Sequence, residues 1–86
     1  MINKTENPVE FALWLCELED AKEHLEQLIK EASTDPEFCE EELRVSLGHV
    51  LAHLNRAWNS RNTNAELTEE QWNAFRAFPQ DLEPLV

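Results

Sequence analysis

The sequence predicts an all-α protein, a long antiparallel helical hairpin followed by a short third helix. Three observations carry that prediction. Phe11, Trp14, Leu18, Ala21, Leu25, Leu28 and Ala32 recur at alternating spacings of three and four residues. Beyond the break at Ser33-Thr34-Asp35-Pro36, the residues Leu43, Leu47, Val50, Leu54, Ala57 and Arg61 repeat the rhythm. Such an alternation returns every member to one side of a helix, so each set reads as the buried seam of an amphipathic helix. The composition agrees: a single Gly, no Tyr, and abundant Leu, Ala and Glu suit helices and not a turn-rich β-fold.

The first helix is expected over residues 8–32. Asn7 is placed to cap it, Pro8 suits the first helical position, and Glu10 stands where a capping box wants an acid. Thr34, Asp35 and Pro36 close that helix and open the next by the same chemistry, so the second helix is expected over residues 36–59. Asn59 to Asn64 is a polar turn without periodicity. A third helix is expected over residues 69–78. Thr68 and Gln71 pair as its capping box, Leu67 and Trp72 sit at staple positions, and Pro79 lies just beyond it. The whole chain, residues 1–86, makes one small domain, with residues 79–86 a tail that either packs or frays.

Two details bear on packing. Val9, Leu13 and Cys16 form a second apolar stripe on the other side of the first helix, so a second neighbour is expected to cover it. The third helix, with Trp72, Phe75 and Phe78, is one candidate. A second copy pairing into a four-helix bundle is the other. Gly48, in mid-helix at a cost of about 1 kcal/mol against Ala, suggests close approach by a bulky group.

Charge narrows the partners. The net charge of −11 disfavours direct contact with nucleic-acid phosphates or an anionic membrane. Residues 1–42 hold 13 acids and three Lys, whereas residues 43–64 hold Arg44, Arg56 and Arg61 and no acid. The longest apolar run, Phe11 to Cys16, is far short of a membrane span, and the first residues lack a signal-peptide pattern. A cytoplasmic chain is expected. Cys16 and Cys39 fit that compartment as unpaired residues, since the hairpin register separates them by on the order of 10 Å.

Candidate chemistry is sparse. His49 and His53, spaced four apart, share a helical side as a metal site would need, yet Val50 stands where a zincin helix carries Glu. The hairpin register puts His24 more than a turn away from both and makes Glu19 and Asp20 the nearer donors. No Glu-x-x-His pair of the ferritin-like kind is present, since Ala21, Ser46 and Val50 precede the three His by three residues. The segment Glu41-Glu42-Leu43 to Ser46-Leu47-Gly48-His49-Val50-Leu51 resembles the metal-binding helix of the all-α nucleotide pyrophosphohydrolases. That family holds magnesium with a Glu-x-x-Asp pair. Ser46 and His49 at the matching positions do not replace two hard oxygen ligands. Neither a phosphate-binding glycine loop nor a nucleophile elbow is found. The acids around Glu17 and Glu40 read as solvated faces and favourable first-turn charges.

The reading is therefore a non-enzymatic protein-interaction or regulatory module without a cofactor, acting on another protein and forming a homodimer. Its interaction candidates are Val9, Leu13, His49, His53, Arg56, Trp58, Arg61, Trp72 and Phe75. Trp and Arg lead because they concentrate binding energy at interfaces. Arg56 and Arg61 are expected either to meet an acidic partner or to lie near Glu6, Glu10 and Glu17 of the first helix. Two alternatives stand beside it: an acidic mimic of nucleic acid that blocks a DNA- or RNA-binding protein, and a metal or small-ligand binder using His49 and His53.

Overall fold

The computed structural model describes residues 1–86 as three helices without strands: α1 (Pro8–Thr34), α2 (Glu40–Asn59) and α3 (Glu69–Ala74). α1 and α2 pack against each other as the predicted antiparallel hairpin, and the molecule measures 48 × 31 × 24 Å. No helix is long and apolar enough to cross a membrane.

Boundaries differ from expectation where local chemistry intervenes. Asn7 has Pro8 behind it but makes no capping hydrogen bond through its side chain. Asp35 is extended ahead of Pro36, as a residue before proline prefers, and its carboxylate accepts a bond from the Glu37 N–H. That Asx turn holds Pro36 to Phe38 outside any helix, so α2 opens only at Glu40, after an extended Cys39 that supplies no side-chain cap. Thr34 instead bonds back to the Lys30 carbonyl, carrying α1 to that residue. Cys16 and Cys39 are free.

The seam keeps Ala21, Leu28, Val50 and Ala57 of the predicted rows but is rotated toward Glu17 and His53. Its buried members on α1 are Glu17, Ala21 and Leu28, and on α2 Val50 and Ala57, with His53 between them. Leu18, Leu25, Leu47 and Leu54, expected in the core, stay more than a third exposed. The reason is Glu17. Its carboxylate lies 2.7 Å from His53 Nδ1, with both side chains nearly covered, and this pair occupies the inter-helix line that leucines would have filled. Glu17 is therefore not a solvated acid. Fully burying a Val, Leu or Ile is worth about 1.5–3 kcal/mol, and here only Ile2, Leu28 and Val50, each 6% exposed, come close to that state.

Polar ties supplement this thin core at the C-terminal end of α2. The last carbonyls of a helix have no partner within it. Trp14 Nε1 donates to the Ala57 carbonyl at 2.7 Å, fastening α1, and the Ile2 N–H donates to the Arg61 carbonyl at 2.9 Å, fastening the N-terminus. α3 begins with the predicted capping box between Thr68 and Gln71. It stops at Ala74, short of residue 78: Arg56 Nε takes the Trp72 carbonyl that the Arg76 N–H would use, and the Ala77 N–H bonds to Ala74 in a tighter turn. Side chains of α2 then hold the carbonyls that follow. Asn59 Nδ2 donates to Phe75 and Ala77, and Asn55 Nδ2 to Arg76.

Gly48 is not a point of close approach: a Cβ built there meets nothing within 4 Å. Gly48→Ala is therefore expected to stabilise the chain by up to about 1 kcal/mol, read as a higher urea midpoint with unchanged slope. A lower midpoint would reveal a contact that the geometry lacks. Asn59→Ala is expected to cost about 1–2 kcal/mol and to speed hydrogen exchange over residues 69–77 while the hairpin stays helical. Exchange there matching the parent would mean that α3 is held by something else.

Candidate functional site

The hairpin has two unlike sides. On the first, His24, His49 and His53 come together. His24 stacks on His53 at 5.2 Å between ring centroids with planes 19° apart, and meets His49 edge-on at 5.4 Å. This overturns the expected separation of His24, because the turn over residues 35–39 is longer than the register assumed. Glu17, not Glu19 or Asp20, is the carboxylate that reaches the cluster. The three His border an open groove of about 730 Å³ whose far wall is Trp72, Arg76 and Phe78. No group of three donors in this arrangement is set to hold a metal ion.

The expected contacts of the two arginines with the first helix are replaced. Arg56 is buried; its Nε donates to the Trp72 carbonyl at 3.0 Å and its guanidinium lies 3.8 Å over the Trp72 ring. That geometry suits a desolvated guanidinium, which stacks and donates at once. Arg56 thus locks α3 to α2 and is not offered to a partner. Arg61 stacks on Trp58 at 3.7 Å, donates to the Trp58 carbonyl and reaches Asp81 at 3.3 Å, while Trp58 Nε1 donates to Asp81 at 2.9 Å. The tail is pinned at Asp81, and Leu85 and Val86 beyond it are exposed.

Of the remaining candidates, Phe75 is half-buried beside Asn59, and Trp72 is 40% exposed with Arg56 across its ring. Leu13 and Cys16 line a second cavity of about 340 Å³ with Leu67 and Trp72. The stripe they form with Val9 therefore faces the α3 side, although Val9 and Leu13 themselves remain well exposed.

The second side was not foreseen as a surface. Rotating away from the seam in the sense opposite to His24 and His49 brings Leu15, Leu18, Leu25 and Ile29 of α1 beside Leu43, Leu47 and Leu54 of α2. These seven side chains are 36–59% exposed. The sequence spacing places five of them, Leu18, Leu25, Leu43, Leu47 and Leu54, in the hairpin's own seam, and leaves Leu15 and Ile29 outside it. Together they form a flat apolar patch with α3 on the reverse side. An apolar patch of this size on a small protein is often functional. No family model, curated protein or solved structure matches the chain.

The Trp58 hydrogen bond, assisted by Arg61, holds the Asp81 carboxyl below its ordinary value of 3.8. A depressed acid supports the fold above its ordinary pKa and loses that support as pH falls through the lowered value. The Trp58 indole N–H resonance should accordingly titrate with a midpoint below 3.8. Asp81→Asn should abolish that titration, and a midpoint at or above the ordinary value would remove the contact from solution.

Proposed function

We propose that this chain is a cytoplasmic, non-enzymatic interaction module whose working surface is the leucine side of the hairpin. The single observation behind this is the pairing of a nearly empty core with a bare apolar face. A hairpin that buries so few large side chains internally gains most from covering Leu18, Leu25, Leu47 and Leu54 with another protein's surface. The exposed free thiols Cys16 and Cys39 fit a reducing compartment. Nucleic-acid mimicry has less support, because a mimic needs a continuous acidic surface and residues 43–64 carry none.

Photo-crosslinking inside the expressing cell tests the reading. A photoreactive residue replaces Ile29 on the leucine side, or Val45, which is equally exposed elsewhere on α2. Protein adducts are expected from position 29, few from position 45, and none from position 29 once Leu18→Lys and Leu47→Lys are added. Equal adducts from both positions, or none, would sink the proposal.

A further inference from the structure

Resting on that reading, we propose that the occupant of the leucine face is a second copy of this chain. The two hairpins stack into a four-helix bundle in which α1 of each lies over α2 of the other. The first argument is shape. Leu18, Leu25 and Ile29 on α1 and Leu43, Leu47 and Leu54 on α2 are matched rows on adjacent antiparallel helices. A twofold axis brings two such faces together with every neighbouring pair antiparallel, the geometry of left-handed bundles. The patch exposes on the order of 500 Å², and its polar flanks bring it near the roughly 800 Å² per partner of a stable interface.

The second argument is charge, and it selects one arrangement. Two twofold axes lie in the plane of the patch. The axis across the helices sets α1 on α1, opposing two helices that each carry seven acids against two Lys. The axis along the helices sets α1 on α2, which has no acid after Glu42 and carries the exposed Arg44. Heights along the bundle follow from the observed pairs Trp14–Ala57 and Glu17–His53. They put Glu26 level with Arg44 of the second copy and Lys30 level with its Glu41. Each of these faces an opposite charge on the outer edge of the leucine rows. Within one chain Glu26 and Arg44 have only exposed local partners, Lys22 at 3.8 Å and Glu41 at 3.6 Å. Opposite charges beside an apolar seam set partner choice and orientation.

The test begins with sedimentation equilibrium of the untagged chain. A mass twice that of the monomer is expected, falling to the monomer in Leu18→Glu/Leu47→Glu. Because that variant risks unfolding, orientation is read separately in a Cys16→Ser/Cys39→Ser background. A chain carrying Leu25→Cys is mixed with one carrying Leu47→Cys and oxidised. A disulfide-linked heterodimer is expected from the mixture, and neither chain alone should link. Glu26→Arg should weaken the dimer, with Arg44→Glu on the same chain restoring it. A monomer at all concentrations overturns the proposal; if position 29 still yields adducts in cells, the interaction reading survives with another protein as occupant. A dimer that links Leu25 to α1 of its partner, or that survives polar substitution of the leucine face, overturns the arrangement.

Discussion

Everything that is not hairpin in this molecule hangs from the C-terminal end of α2. A helix ends with unpaired carbonyls, and its last two turns here also carry Asn55, Arg56, Trp58 and Asn59 in close succession. The Ala57 carbonyl receives Trp14, and the Arg61 carbonyl, in the turn just past the helix, receives the N-terminal strap through Ile2. The side chains hold the irregular backbone after α3 and the tail at Asp81. A short helix such as α3 is not stable alone, so its position is set by whatever captures its unsatisfied groups. Arg56 is the firmest of these ties because it is buried, donates to backbone and stacks on an aromatic ring at once.

That concentration of polar ties at one end leaves the rest of the hairpin lightly held. The Glu17–His53 pair lies in the inter-helix line, where it takes up space without adding apolar burial. With Ala21, Val50 and Ala57 as its neighbours, the line is narrow. Narrow seams bring helices close, but they bury little apolar area, and the larger residues are turned outward onto one side. The thin core and the leucine face are two consequences of the same rotation. A partner on that face would complete the burial that the single chain begins.

The sidedness also separates two kinds of chemistry. Imidazoles and guanidinium groups gather where α3 packs, around a groove, while the opposite side is aliphatic and flat. The polar side is largely occupied within the chain, since Arg56, Asn55 and Asn59 are spent on α3. The aliphatic side has no partner in its own chain.

Residue order alone settles the fold class, both long helices and the capping box of α3. These follow from local periodicity and from hydrogen bonds between near neighbours, which residue order encodes directly. Which of two adjacent apolar rows faces the partner helix was not legible. Rows one residue apart differ by about 100° around a helix, and Trp14, Glu17 and Leu18 satisfy the same spacing rules. Only tertiary packing chose between them. Glu17 meets His53 across the seam and Trp14 meets the open carbonyl of Ala57, contacts between residues far apart in the chain that no local pattern specifies. The leucine face exists because that choice turned the hairpin's own leucines to the outside.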